Sequence, residues 1–500
     1  MDISVAVVGS GFSGIGLAIN LRKQGVEDFA VLERGAGVGG TWHYNTYPGC
    51  ACDVPSNLYS FSFAPNPDWS RTYSRQPEIR AYLERVVDAF GVRPKIRLNT
   101  EVLEASWNDE ARRWQIDTTA GRFTAKVLIS GTGPLVEPRI PDVPGLERFT
   151  GPAMHSARWD HSVDLRGLRI ASIGTGASAI QYVPEVAPDA EQLYVFQRTA
   201  PWIMPHSARP VKPIEQRVYR RFPAVQRAVR GGIYGARELM VLGFVKQPRG
   251  MKLLEKVAGR HRRRGLEGDA DLIARTTPDY TLGCKRILPS NDWYRTLTRE
   301  NVELVTEGVA EIRERSVVTT DGRELEVDAL LFGTGFHVVD MPVGRLVRGR
   351  GGRALADVWD GSPHAHLGAT VPGFPNLFIL LGPNTGLGHS SMVYMIESQI
   401  AYVMDALNAL GDADIVEVRP EVEAAYNAEV QQRMQGTVWN TGCTSWYQDA
   451  KGNNPMLWPD WTWRFRRRTA RFDPSEYLIE SSNRLRGPDR PVSGGPHVAP

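Results

Sequence analysis

Apolar and polar positions fall in blocks along this chain. Residues 3–8, Ile3-Ser4-Val5-Ala6-Val7-Val8, make a short valine-rich run. It passes into Gly9-Ser10-Gly11-Phe12-Ser13-Gly14 and then into residues 15–24, where Leu17, Ile19 and Leu21 sit among small and polar residues before Gly25. Such a succession predicts a strand, a tight turn and a helix closed by a glycine cap. The next apolar run, Phe29-Ala30-Val31-Leu32, ends at Glu33. The same order returns at residues 168–173, followed by Gly174-Thr175-Gly176-Ala177-Ser178-Ala179, a helix through Ile180, Gln181 and Val186, and the run Leu193-Tyr194-Val195-Phe196-Gln197 that delivers Arg198. Two more apolar runs end in Gly-Thr-Gly, at Gly131-Thr132-Gly133 and Gly333-Thr334-Gly335. Residues 210–279 lack strand character and read as helices, and residues 390–410 read as one long amphipathic helix.

This order predicts an α/β fold with two Rossmann-like dinucleotide-binding domains and a helical insertion. The first domain is expected over 1–140 and again over 376–486, where it carries a C-terminal cover. The second is expected over 141–209, with its linker, and over 280–343, divided by the helical insertion 210–279. Residues 344–375 read as a linker and 487–500, rich in proline and glycine, as a disordered tail. The C-terminal part holds Trp439, Trp446, Trp458, Trp461 and Trp463, which read equally as walls of an apolar pocket and as a packed cover.

Composition changes this picture little. The 500 residues are 42% hydrophobic and 23% charged with a net charge of +3, which suits a multidomain globular enzyme and gives no reason to expect nucleic acid as a partner. The basic clusters at 260–264 and 466–468 read as solvated helix faces. Strand-like sequence begins at Ile3, without the regions of a signal peptide, and no apolar run approaches the roughly 20 residues of a membrane span, so a cytoplasmic protein is expected. Four cysteines, Cys50, Cys52, Cys284 and Cys443, are too few and too scattered for a disulfide framework or a four-cysteine zinc site, and read as reduced thiols. No metal site is expected.

The two glycine loops carry chemistry. In strand-turn-helix context the first glycine makes the turn, the second lets backbone approach a pyrophosphate and the third packs helix on strand, as Gly9, Gly11 and Gly14 would. Glu33, nineteen residues after Gly14, is placed to take a ribose hydroxyl. Arg198 stands at the same offset from Gly174 as Glu33 from Gly9, twenty-four residues, so one position holds an acid in the first unit and a base in the second. An acid suits a free 2'-hydroxyl and an arginine a 2'-phosphate. FAD is therefore assigned to the first loop and NADPH to the second.

Between the loops lies Phe149-Thr150-Gly151-Pro152-Ala153-Met154-His155-Ser156-Ala157-Arg158-Trp159-Asp160, which fits FxGxxxHxxxW(P/D) at every fixed position. Upstream, Gly39-Gly40-Thr41-Trp42, Tyr47-Pro48-Gly49 and Asp53 fit GGTWxxxxYPGxxxD. These two patterns resemble the signatures of the type I Baeyer-Villiger monooxygenases, and the resemblance covers nearly the whole chain. It implies an enzyme that uses NADPH, FAD and oxygen to insert an oxygen atom beside a ketone carbonyl, through a C4a-peroxyflavin, giving an ester or lactone. It implies that Arg286 is the catalytic cation, held by Asp53, and that Lys285 supports Arg198 on the 2'-phosphate. Arginine suits the first role because it keeps its charge beside a developing anion. Ser13, Thr41, Trp42, Asp53, Tyr59, Val102, Thr175, Gly176, Ser178, Gln181, Thr199 and Asn384 are further expected among the cofactor-binding residues. Phe149, Gly151, His155, Trp159 and Asp160 would link the cofactor domains. One departure is Gly333, where alanine is common in the family, a change expected to be tolerated beside a ligand.

Two other activities share much of this sequence. Flavin-dependent oxygenases of amines or sulfides lack the terminal Trp-(Pro/Asp), and a reductase that only passes electrons needs no Asp53 and Arg286 pair. A disulfide reductase would carry a redox cysteine pair near residue 50, but Cys50 and Cys52 are one residue apart, a poor geometry for a stable disulfide. A small ketone and oxygen are the expected partners, and neither the particular ketone nor the oligomeric state is legible.

Overall fold

The strand Asp2–Val8 is buried along most of its length because sheet neighbours flank it and helices cover it, the setting in which a strand reads as a near-continuous apolar run. This strand belongs to a computed structural model that describes residues 1–246, 250–411, 413–443 and 445–481; the tail expected at 487–500 lies outside the described residues. Asp2–Val8 runs parallel to Phe29–Leu32 on one side, with Val5 opposite Phe29, and to Gly121–Ser130 on the other, with Val5 opposite Val127. Ile96–Arg97 extends the sheet beyond Phe29–Leu32. The antiparallel strands Val102–Asn108 and Arg113–Thr118 extend it beyond Gly121–Ser130, which also pairs with Leu377–Ile379.

The expected linker 344–375 is more structured than its glycines suggest. Val347–Arg348 pairs with Val102–Asn108, so the chain rejoins the first sheet there. Two paired residues leave too short a periodic signal to read as a strand.

The second sheet has five parallel strands in the order Val302–Val305, Gln192–Phe196, Arg169–Ile173, Ala329–Phe332, Ala153–His155. Between its halves the chain forms the helices Pro213–Arg221, Pro223–Glu238, Met251–Gly265 and Ala270–Arg275. The long helix expected at 390–410 is Met392–Leu410, begun by the Ser391 side chain accepting from the Val393 N–H. The two sheets share one buried apolar cluster, which includes Val7, Ile15, Phe61 and Tyr82 from the first unit and Tyr182, Leu193 and Leu331 from the second. No helix among the described residues is long and apolar enough to cross a membrane.

The cysteines correct the expectation of four reduced thiols. Cys284 and Cys443 form a disulfide across a separation of 159 residues, with Cα atoms 6.1 Å apart. The C-terminal segment folds back over the loop that precedes Lys285, an approach that spacing along the chain does not reveal. Cys50 and Cys52 are free and buried. Burial pushes the Cys50 thiol up to about 12 and raises that of Cys52 as well, so neither is poised as a reactive thiolate.

Candidate active site

Each glycine loop is built by what its glycines touch. Gly9 has φ of +93° and Gly174 +105°, a conformation that favours glycine, and each lies on a returning Gly-Thr-Gly segment: a Cβ on Gly9 would stand 2.9 Å from the Gly131 carbonyl oxygen, and one on Gly174 2.6 Å from that of Gly333. A Cβ on Gly14 would meet the Gly9 carbonyl oxygen at 1.9 Å, which fixes the close packing of helix on strand. Gly11 and Gly176 differ. The nearest protein atoms to an added Cβ are 3.6 Å and 3.7 Å away, so protein packing alone does not require glycine there. No side chain caps the N-terminus of the helix Phe12–Lys23, where Ser13 lies buried in the first turn, and an uncapped helix start offers its N–H groups to an anion.

Glu33 is held beside the first loop by four donors: Ser10 N–H at 2.8 Å, Ser10 Oγ at 2.7 Å, Gly35 N–H at 2.8 Å and the Tyr44 hydroxyl at 3.0 Å. The second fingerprint packs on the same loop, since a Cβ on Gly40 would reach the Gly11 Cα at 2.9 Å. Thr41 opens the short helix Thr41–Tyr44, and Trp42 donates through Nε1 to the Tyr59 hydroxyl at 3.1 Å. Tyr59 in turn lies in the field of Asp53 and Arg286, which connects the first loop to the charged pair. Val102 is a core residue in the same buried cluster as Ala30 and Leu32.

The pair itself is bidentate. Arg286 donates through Nε to Asp53 Oδ2 at 2.8 Å and through Nη2 to Oδ1 at 2.7 Å. The side chains are 38% and 22% exposed, so the pair is neither solvated surface nor sealed core. The charge of Asp53 raises the Arg286 guanidinium further above its ordinary value, against the effect of burial, and keeps it cationic. Sequence reasoning missed three neighbours. Arg237, from the helical insertion, donates to the Asp53 carbonyl at 3.3 Å. Tyr447, buried and pushed up to about 12 by burial, feels both members of the pair. His206 is lowered by burial while Asp53 opposes that shift. None of the three lies in a motif, and only tertiary packing brings them to the pair.

At the second loop, Arg198 is exposed at the end of Gln192–Phe196, followed by Thr199, whose carbonyl accepts from Thr175 Oγ1 at 3.4 Å. Lys285 lies over the Tyr280 ring at 4.7 Å, and burial followed by the charge of Arg198 lowers its ammonium below the ordinary value. Two cations that repel each other on adjoining segments fit a dianionic phosphate. Ser178 caps the helix Ala179–Val186 in position, without a side-chain hydrogen bond of its own to the helix.

Two residues expected at the cofactors are engaged by protein. The Gln181 amide accepts from the Tyr47 hydroxyl at 2.9 Å and the Ala51 N–H at 3.2 Å, and donates to the Ala51 carbonyl at 3.1 Å, clamping the second unit to the second fingerprint. The Asn384 amide donates to the carbonyls of Asn454, at 2.7 Å, and Leu457, at 3.1 Å, pinning the C-terminal segment. Gly333 also has a reason of its own: a Cβ there would stand 2.8 Å from the Tyr182 hydroxyl and 3.0 Å from the Ala179 Cβ, so its Cα faces the helix and an alanine would be crowded.

The fingerprint runs along the edge of the second sheet. A Cβ on Gly151 would meet the Asp328 carbonyl oxygen at 2.2 Å, and Phe149 packs on the cluster around Ile312 and Leu325. His155 is buried, accepts the Ala157 N–H on Nδ1 at 3.1 Å and meets the Phe336 ring edge-on at 5.6 Å. Burial pushes it down to about 4, so it is neutral. Trp159 packs against Tyr182, with ring centroids 5.6 Å apart, and Asp160 accepts from the Ser162 N–H and Oγ. His161 bonds Thr46 at 2.9 Å, tying the fingerprint to the first unit. The tryptophans divide: Trp439 and Trp458 are buried, the former stacked on Phe244 of the insertion, while Trp446 and Trp463 are exposed.

Two glycine loops, an acid at one, two cations at the other and an arginine-aspartate pair between them define an oxidoreductase that holds two dinucleotides. Comparison with known proteins narrows the class. A family described as pyridine nucleotide-disulphide oxidoreductase matches residues 6–233. A Baeyer-Villiger monooxygenase of Streptomyces coelicolor is 51% identical over 95% of this chain and 92% of its own length. Among solved structures, an oxidized steroid monooxygenase bound to NADP is 32% identical with a TM-score of 0.85, covering 96% of this chain and 100% of its own. An OTEMO complex with FAD and NADP is 27% identical with a TM-score of 0.87, covering 95% and 99%. The chain belongs to the Baeyer-Villiger monooxygenases.

Proposed function

We propose that the chain binds FAD at the Gly9–Gly14 loop and NADPH at the Gly174–Gly176 loop, and inserts one oxygen atom of O2 beside a ketone carbonyl to give an ester or lactone. The flavin, once reduced by the nicotinamide, supplies the oxygen chemistry. The observation that carries the reading is the bidentate Asp53–Arg286 pair, joined through Tyr59 and Trp42 to the first loop and through adjacent Lys285 to the second.

Each residue has a task. Arg286 offers a permanent cation where negative charge develops on oxygen, and Asp53 aims its guanidinium by two hydrogen bonds. Glu33 takes the ribose hydroxyl of FAD, while Arg198 and Lys285 take the 2'-phosphate of NADPH. His155, neutral and buried, orders the edge strand between the two units and moves no proton. The Cys50 and Cys52 thiols take no part in electron transfer, since burial keeps both protonated.

The test is to supply the purified enzyme with NADPH, air, a panel of ketones and a thioether, and to identify products by mass spectrometry. Ester or lactone is expected. Sulfoxide as the sole product would favour an oxygenase of sulfides or amines, and peroxide as the sole product would remove the oxygenase reading.

A further inference from the structure

The charge of this chain is unevenly placed. Residues 210–265 hold fifteen lysines and arginines against three acidic residues, a surplus of +12 in a chain whose net charge is +3, so the remainder is net −9. Arg217, Arg221, Arg227, Lys252, Lys256 and Arg260 form no ion pair among the described residues, which leaves the surplus available to a partner. The same lobe concentrates exposed apolar side chains. Six of the thirteen large hydrophobic residues exposed among the described residues lie in it: Ile214, Phe222, Val225, Leu239, Leu242 and Leu253. Phe222, 56% exposed, stands at the corner between two helices under the Arg221 guanidinium.

The helix Pro223–Glu238 sorts these residues by face. Val225, Ala228, Gly232, Gly235 and Leu239 follow one another at intervals of three and four, the spacing of a single helix face, and all five are exposed. Among the described residues no atom lies within 4 Å of a Cβ built on Gly232 or Gly235, so none of them packs on the stripe at those two positions. The opposite face holds the site. Arg237 donates to the Asp53 carbonyl, and Arg230 donates to the carbonyls of Asn57 and Ser60, at 2.8 Å and 2.9 Å. Glu238, buried, accepts from the Thr462 N–H and hydroxyl.

We infer that this lobe is a docking surface for an anionic lipid bilayer, with the outer stripe of Pro223–Glu238 and the Phe222 corner lying in the headgroup region. An exposed apolar helix face, in a lobe whose basic surplus includes unpaired side chains and whose Arg221 guanidinium lies over Phe222, is complementary to such a surface on both counts. Nucleic acid would use the charge but has no place for Leu239 and Val225. A second copy of the chain would bring two lobes of like charge together. The net negative remainder turns the molecule so that the lobe meets the membrane first. Because one helix carries both faces, docking holds the Asp53 segment next to the phase in which apolar ketones collect.

The experiment is co-sedimentation of the full-length enzyme with vesicles of phosphatidylglycerol and phosphatidylcholine in equal parts, or of phosphatidylcholine alone. Pelleting with the anionic vesicles, weakened by salt and absent with the neutral ones, is expected. The double variant Phe222→Glu, Leu239→Glu should bind at least about tenfold more weakly, and Arg217→Gln with Arg227→Gln should reduce the preference for anionic lipid, with flavin content and turnover of a water-soluble ketone unchanged in both. Three results would overturn the inference: no pelleting with either vesicle, equal pelleting with both, or tighter binding to duplex DNA than to anionic vesicles. A concentration-dependent dimer that Leu239→Glu dissolves, without vesicle binding, would assign the face to a second copy.

Discussion

Arg286 and Asp53 form a two-point contact, and its geometry matters as much as its charge. Arg286→Lys keeps a cation but loses the planar fork, so ketone oxygenation is expected to fall on the order of 100-fold or more, with NADPH consumption shifting towards peroxide. Parallel assays of ester and peroxide check this. Arg198 and Lys285 act on the other dinucleotide. Replacing either with alanine should raise the KM for NADPH by roughly ten- to a hundredfold, at about 1.4 to 3 kcal/mol for a charged contact to phosphate, with little change for NADH. At this scale the sequence is legible where a residue sits in a motif, as Asp53 and Arg198 do. It is silent where a side chain is claimed by distant backbone: Gln181 turns to Ala51 and Asn384 to Asn454 and Leu457, and nothing local to either announces that.

The strand-turn-helix units are the most legible elements, because strand period, glycine positions and helix period all lie within about 30 residues. Their glycines make sharp predictions. In Gly14→Ala the new methyl meets the Gly9 carbonyl oxygen, and in Gly151→Ala that of Asp328, so each variant should lose thermal stability, and Gly14→Ala should also be purified with little flavin. Flavin absorbance and Tm measure both. Gly333→Ala restores the residue common in the family, yet the Tyr182 hydroxyl and the Ala179 Cβ crowd the new methyl, so a smaller but measurable loss of stability is expected. Elements held by tertiary pairing, such as Val347–Arg348, leave no local pattern to read.

Across the whole molecule, the two dinucleotide units share one apolar core, and neutral histidines are sealed within the fold. Burial holds both His155 and His366 down at about 4, from an ordinary value of 6.5. Between those values the unfolded chain takes up protons that the native state refuses, so the contribution of these two histidines to stability is expected to fall as pH drops from about 6.5 to about 4 and to change no further below. Denaturant titrations across that range check this, and His155→Gln should flatten the slope. The link between Cys284 and Cys443, like the core shared by both units, arises from chain segments far apart and was not legible in spacing. The central claim is that the Asp53–Arg286 pair, lying between two dinucleotide loops, directs one oxygen atom into a ketone. Its most direct test is turnover of a ketone substrate under heavy-isotope dioxygen by the wild-type enzyme and by Arg286→Ala. One labelled atom in the ester from the wild type, and peroxide without ester from the variant, is the predicted result; unlabelled ester, or equal ester from both proteins, would contradict it.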